Sequence, residues 1–137
     1  RLGDYLNYPS TFLIPSREYY KRATEVVRES LPGCLIVVVT NDVAGAQVLL
    51  DCADYVVGPA ECDDPVELLS VFTRANGIIG TNSTLSWWGA FLAPASQGIK
   101  IFPSRWFVDP ALESGALLID SFITIEPKSG DIVTLGT

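Results

Sequence analysis

Residues 77–94, GIIGTNSTLSWWGAFLAP, constrain the fold more than any other stretch of the chain. A short apolar strand over 77–80 runs directly into four small polar residues, Thr81, Asn82, Ser83 and Thr84. A helix-like run over 85–93 follows, and Pro94 closes it. Strand, small hydroxyl residues, then helix is a junction from which α/β proteins build anion sites. The first N–H groups of a helix have no partner within it, and the helix dipole places partial positive charge there. A phosphate-bearing ligand suits such a junction. Simple N-capping by Asn82 or Ser83 explains the same residues without a ligand.

The rest of the chain alternates in the same way. Ser16 caps a predicted helix over 17–31, with Tyr20, Ala23, Val27 and Leu31 at helical spacing and Pro32-Gly33 as its stop. Residues 34–40, CLIVVVT, are apolar and β-branched without alternation, which predicts a parallel strand buried on both faces. A short helix is expected over 44–50 and a second strand over 54–58. Asp64-Pro65-Val66-Glu67 reads as a helix start, with Asp64 as cap, Pro65 in the first position and Glu67 reaching back. That helix extends to about residue 75, and further strands are expected over 78–79, 99–102 and part of 117–125. Lys128-Ser129-Gly130-Asp131 reads as a turn. Strands alternating with helices imply a parallel sheet with right-handed crossovers. The reading is one α/β domain over 1–137, a Rossmann-like parallel sheet flanked by helices.

Composition narrows the function. With 48% apolar and 18% charged residues, the 137-residue chain is globular and long enough for one real core. A net charge of −7 argues against a nucleic-acid surface but leaves room for a local basic pocket. The absence of histidine removes the commonest general base and the commonest metal ligand. Three cysteines, Cys34, Cys52 and Cys62, form no CxxC pair and read as free thiols in a reducing compartment or as small buried hydrophobes. No apolar run approaches the ~20 residues of a membrane span. The sequence opens on Arg1, contains no Met, and begins in mid-pattern, so a fragment lacking an N-terminal part is expected.

In open α/β sheets, ligands bind beyond the carboxyl ends of the strands. Three polar stations fall there: Thr40-Asn41-Asp42, residues 81–84, and Pro103-Ser104-Arg105. They are expected to converge on one crevice, with residues 1–4 as a fourth station. Asp42 suits a ribose hydroxyl or a base amino group, and equally a cap for the next helix. Glu67 suits either a base ring or its own capping box. Arg105 either orients a ligand or stacks on Trp106. Arg1, just before Gly3-Asp4, can grip two phosphate oxygens at once or be a surface arginine. The acidic cluster Glu61, Asp63 and Asp64 lacks a calcium-loop pattern and reads as solvated, so no metal site is assigned. Trp87, Trp88 and Phe91 make the 85–93 helix apolar nearly all round, which predicts burial rather than stacking on a ligand. Gly89 is expected to let that helix approach the sheet.

The order of these pieces resembles the α-1,2-fucosyltransferases of glycosyltransferase family 11. Members carry a His-x-Arg-Arg-Gly-Asp-Tyr segment, a Ser-Asp-Asp-type strand end, an Asn-Ser-Ser/Thr-Phe-Ser-Trp-Trp-Gly-Ala run and a Pro-x-x-Trp-Phe segment. Here they correspond to residues 1–5, Thr40-Asn41-Asp42, residues 82–90 and residues 103–107. The resemblance implies the donor-binding, C-terminal half of a two-domain GT-B enzyme, with most of the acceptor domain absent. It implies GDP-fucose as donor substrate, no cofactor and no metal. The reaction would be inverting transfer of L-fucose to the 2-hydroxyl of a galactose in a glycan acceptor. Arg1 and Asp4 take the catalytic positions, Asp4 as candidate base or as support for the Arg1 loop. Asp42, Glu67, Asn82, Ser83, Thr84, Ser86 and Arg105 take the donor-binding ones. A bacterial member would be cytoplasmic or membrane-associated through parts outside this sequence, and a eukaryotic one would lie in the Golgi.

The sequence departs from the family pattern at three points. The motif's histidine falls before Arg1, Leu2 replaces the second arginine, and Thr40-Asn41 replaces Ser-Asp. Less positive charge near the diphosphate admits a different sugar nucleotide. A non-catalytic nucleotide- or glycan-binding module of the same fold is the alternative function, and a plain α/β structural domain the third.

Overall fold

The computed structural model describes residues 4–49, 51, 53–94, 96, 98–113 and 115–133. Its elements run α1 (Arg17–Ser30), β1 (Val37–Val39), α2 (Val43–Leu49), β2 (Tyr55–Val57), α3 (Pro65–Arg74), β3 (Gly77–Ile79), α4 (Thr84–Leu92), β4 (Ile99–Pro103), β5 (Ile123–Ile125) and β6 (Ile132–Val133). Short 3-10 turns occupy Tyr5–Asn7, Pro110–Leu112 and Gly115–Leu117. The fold is α/β, with parallel strands flanked by helices, as the alternation predicts.

Local chemistry sets the helix starts. The Ser16 hydroxyl accepts from the Tyr19 N–H at 3.4 Å, opening α1. Asp64 accepts from the Val66 and Glu67 N–H groups at 2.7 and 3.4 Å, and Pro65 supplies a preset φ at the first position of α3. The Glu67 carboxylate does not complete the predicted capping box; the Cys62 thiol contacts it at 3.5 Å. At the far end of α4, the buried Lys100 ammonium donates to the Ala93 carbonyl at 2.9 Å and sits 3.5 Å from that of Pro94. A cation there complements the negative end of the helix dipole.

Strands β3, β4 and β5 are parallel neighbours, and β6 joins β5 antiparallel through a turn containing Gly130 at φ 78°. The turn was legible in the sequence; the strand after it was not. Side chains alternate across this sheet with period two. Ile101 and Ile125 face α1, where they pack with Tyr19, Tyr20, Ala23 and Val27. Ile78 and Phe102 face the other way, toward Ala90 of α4, Trp106 and Phe122. The sheet is therefore sandwiched between α1 and the α3–α4 pair.

Four expectations are corrected. The sheet is not continuous: β1 and β2 form a separate parallel pair with Val37 opposite Tyr55. Nor is β1 buried on both faces, since Leu35 and Val37 are exposed. Among the described residues β1 pairs with β2 alone, and a cavity rather than a strand lies along its other edge. Helix α4 is not buried all round either: Trp88, Phe91 and Leu92 are each about half exposed, at 50%, 53% and 52%. Only its Ser86, Gly89 and Ala90 side is fully covered, by the sheet and α3. Gly89 faces α3 rather than the sheet, because a Cβ there would stand 2.4 Å from the Phe72 Cβ.

Candidate functional site

The loop from β3 into α4 is held from several directions. Beneath it, Gly80 lies against the Phe102 ring, so closely that a Cβ would stand 2.0 Å from the nearest ring carbon. The Gly80 N–H donates to the Ile101 carbonyl at 2.8 Å, and its carbonyl accepts from the Tyr19 hydroxyl at 2.6 Å. Tyr19 is fully buried, and that burial, with the neighbouring Tyr20 adding to it, pushes its hydroxyl pKa well above the usual phenol range. It stays a donor at any ordinary pH.

Asn82 fixes the next step of the loop. Its side chain is fully buried and its amide nitrogen donates to the Leu13 and Trp106 carbonyls at 2.7 and 2.8 Å. One amide thus ties the N-terminal segment, the loop after β4 and the start of α4 together. Asn82 Oδ1 has no hydrogen-bond partner. Ser83 stands at the cap position of α4 in extended conformation, but its side chain makes no capping bond. The Ser86 hydroxyl donates back to the Ser83 carbonyl at 2.9 Å. Thr84 is exposed in the first turn.

Thr81, like Asn82 Oδ1 and Trp106 Nε1, presents a buried polar atom without a partner. It is 9% exposed, and its hydroxyl has no hydrogen-bond partner. A buried polar group without a partner is costly, so natural proteins rarely keep one without a reason. Thr81 lines a cavity of about 750 Å³ between β1 and β3. Most of its wall is apolar, from β1, β3 and the end of α3. At the carboxyl ends of the two strands it turns polar, with Thr40, Asp42, Thr81 and Ser86 on the lining.

The Asp42 end has its own order. The Thr40 hydroxyl accepts from the Asp42 N–H at 2.9 Å, and Asp42 Oδ1 accepts from the Gly45 N–H at 3.0 Å. Gly45 admits this arrangement, because a Cβ there would stand 2.2 Å from Asp42 Oδ2. Asp42 therefore caps α2 with one carboxylate oxygen, as one of its two sequence readings expects, and also lines the cavity.

Of the other predicted positions, Asp4, Glu67, Asn82, Ser83, Thr84 and Arg105 are not on the cavity lining. Glu67 is exposed at the start of α3. Arg105 forms an ion pair with Glu126 at 3.2 Å rather than turning to the cavity or stacking on Trp106, which is buried in the core. Asp4 is exposed at the head of the Tyr5–Asn7 turn and makes no side-chain cap. Arg1 lies outside the described residues, as does Cys52. Two of the expected stations thus meet, and the Arg105 station does not join them. Thr40 and Asp42 stand in the first of these stations and Thr81 in the second, yet sequence reasoning gave Thr81 no role of its own. Its place directly after an apolar strand was the available signal. Tyr19 was missed because it stands beside, not in, the stripe of Tyr20, Ala23, Val27 and Leu31 read from helical spacing.

Among the described residues, no three His, Cys, Asp or Glu side chains cluster as metal ligands. Among the same residues, no helix is long and apolar enough to cross a membrane.

Residues 1–123 match the glycosyl transferase family 11 pattern, taking in the whole cavity lining. The chain belongs to glycosyl transferase family 11. An O-antigen biosynthesis glycosyltransferase of Escherichia coli, WbnK, is 30% identical to it over 131 residues. That similarity covers 91% of this chain and 42% of the relative, so this family 11 chain spans less than half of the curated relative's length. No solved structure matches it.

Proposed function

We propose that this family 11 chain is the donor-binding part of a glycosyltransferase that moves L-fucose from GDP-fucose to the 2-hydroxyl of a galactose in a glycan acceptor, with inversion at the sugar carbon. The observation that carries this reading is the unpartnered Thr81 hydroxyl, buried at the polar end of the cavity immediately before α4. A diphosphate oxygen accepts from such a hydroxyl and from the free N–H groups of a helix start.

The chemistry explains why fixed donors suit this place. Breaking the fucosyl–phosphate bond leaves negative charge on GDP. Donors that are already oriented stabilise that charge without reorganising. In this reading Thr81, Ser83 and the first turn of α4 receive the diphosphate. Asn82 acts from behind, by holding the loop. Asp42 keeps one carboxylate oxygen for α2 and offers the other to a ribose hydroxyl or to the guanine amino group. Arg1, which matches the first arginine of the family's opening motif, would grip the β-phosphate. No metal is invoked. Glu67 and Arg105, which are not on the cavity lining, are assigned no direct contact with the donor.

The named E. coli relative supports a bacterial setting over a Golgi one, and its O-antigen role supports a cell-surface polysaccharide unit as acceptor. Isothermal titration of the folded chain with GDP, GDP-fucose, UDP and ADP tests the donor class. Binding of GDP and GDP-fucose with at least ~10-fold preference over UDP and ADP, or ~1.4 kcal/mol, is expected. Equal affinity for all four, or heat from none of them, refutes the reading.

A further inference from the structure

One peptide group in the loop after β4 is hydrogen-bonded by a side chain at each end. The Phe107 N–H and the Trp106 C=O belong to the same peptide unit. The Phe107 N–H donates to Glu113 Oε1 at 2.7 Å, and the Trp106 N–H donates to the same oxygen at 2.8 Å. On the other side, the Trp106 C=O accepts from Asn82 Nδ2 at 2.8 Å and from the Leu13 N–H at 2.9 Å. Glu113 and Asn82 thus meet through a single amide.

Local sequence delivers Glu113 to this place. Asp109 Oδ1 accepts from the Ala111 N–H at 2.9 Å, and Pro110 presets the first dihedral of the 3-10 turn Pro110–Leu112. The Glu113 N–H then donates to the Pro110 carbonyl at 3.2 Å and closes the turn. Bonds from an N–H to a carboxylate are roughly twice as strong as neutral ones. Hydrogen bonds in series also polarise one another. Negative charge at the N–H end of the Trp106–Phe107 peptide shifts electron density onto its carbonyl oxygen, which makes that oxygen a better acceptor for Asn82. Asn82 depends on it. With Oδ1 unpartnered, its amide is oriented by the two bonds of Nδ2, to Leu13 and Trp106.

We propose that Glu113 is a positioning residue for the loop ahead of α4: its charge acts through the Trp106–Phe107 peptide on Asn82, and so sets the backbone of Thr81 and Ser83 that receives the diphosphate. The last link rests on the function proposed above; the relay from Glu113 to Asn82 does not.

Two substitutions read the relay. Glu113→Gln keeps an oxygen for both N–H groups but removes the charge, and Glu113→Ala removes both. By NMR, the Asn82 side-chain amide protons are expected to exchange with solvent about threefold faster in Glu113→Gln and about tenfold faster in Glu113→Ala, while the backbone amides of β4 and β5 hold their rates. Unchanged exchange at Asn82 in both folded variants overturns the proposal. So does an acceleration shared by β4 and β5, which marks a loss of global stability. If Glu113→Ala does not fold, Glu113→Gln alone decides by the same comparison.

The last link is read by calorimetry with GDP, in a double-mutant cycle with Asn82→Ala. Glu113→Ala is expected to weaken GDP binding about tenfold in the parent chain and less than about twofold once the Asn82 amide is gone. Equal weakening in both backgrounds overturns action through Asn82. Should Asn82→Ala not fold, Glu113→Gln decides, and unchanged GDP affinity beside faster Asn82 exchange overturns the last link. If the parent chain gives no heat with GDP, the proposed function fails and the Asn82 exchange rates alone judge the relay.

Discussion

The Tyr19 hydroxyl donates to the Gly80 carbonyl at 2.6 Å, joining the first helix to the loop ahead of α4 across 61 residues of sequence. Tyr19→Phe keeps the ring and deletes this bond inside the core. A buried carbonyl that loses its donor costs about 1–3 kcal/mol, so the urea midpoint is expected to fall accordingly. GDP affinity should drop with it, since one of the bonds that hold the loop is lost. An unchanged midpoint would show that water or another donor replaces the hydroxyl.

Gly80→Ala tests the opposite face of the same residue. The added methyl meets the Phe102 ring, which is itself fully buried. Overpacking of this kind costs about 1–3 kcal/mol. Pairing it with Phe102→Leu makes room, so the double variant should be less destabilised than the sum of the two single changes. A double-mutant cycle by chemical denaturation reads this coupling, and strict additivity would refute the contact.

Asn82→Asp swaps two donated hydrogen bonds for a carboxylate facing the Leu13 and Trp106 carbonyls. An uncompensated buried charge costs on the order of 3–5 kcal/mol. Burial raises the folded-state pKa of the introduced carboxyl above its unfolded value of about 3.9. The neutral acid is then favoured in the fold, and the deficit should shrink as pH falls through that raised value. Stability curves measured from neutral to mildly acidic pH check the sign. A deficit that stays constant would mean that the side chain has turned out to solvent.

Glu126 predicts acid sensitivity of the β5–β6 turn. Burial pushes its carboxyl pKa up, but the Ser129 and Lys128 N–H groups and the Arg105 guanidinium outweigh this and hold it below the usual glutamate range. A depressed folded-state pKa gives stability that is present above the unfolded value, about 4.3, and lost as pH falls through the folded one. Glu126→Gln should therefore flatten the acid limb of the thermal-melting profile below pH ~4.3 while Arg105 loses its ion-pair partner. An acid limb of unchanged slope would remove Glu126 from the account.

Thr81→Val separates ligand binding from folding. The side chains have nearly the same shape, and the hydroxyl replaced has no partner in the protein. Removing an unsatisfied buried hydroxyl should leave stability unchanged or raise it by up to ~1 kcal/mol. If the hydroxyl receives a phosphate oxygen, GDP affinity falls about tenfold, or ~1.4 kcal/mol. Thermal melting and calorimetry on one preparation read both quantities. Lost stability with intact affinity would assign Thr81 to the fold instead.

Much of the architecture follows from local sequence, because its causes are local. Ser16 and Asp64 start their helices through their own side chains, and Pro65 presets its dihedral. The strand–loop–helix order around residues 77–92 needs only the apolar run, the small polar residues and the next apolar run. Period-two alternation in β4 sends Ile101 to one face and Phe102 to the other, with no help from distant residues.

What the sequence could not contain is which distant groups meet. The run at 34–40 reads as a strand covered on both sides, but covering depends on what lies at its second edge, and here that edge faces the cavity. The apolar composition of α4 cannot say that Trp88 and Phe91 stand half in solvent, because a helix face is covered only if another element reaches it. Arg105 looks like a ligand contact until β5 and its turn deliver Glu126 beside it. Asn82 looks like a cap until Leu13 and Trp106 arrive from 69 and 24 residues away to take both of its donated bonds. Side-chain type and spacing therefore determined the elements and the family pattern. Tertiary packing alone decided which polar atoms were already satisfied by the protein, and so left Thr81 without a partner.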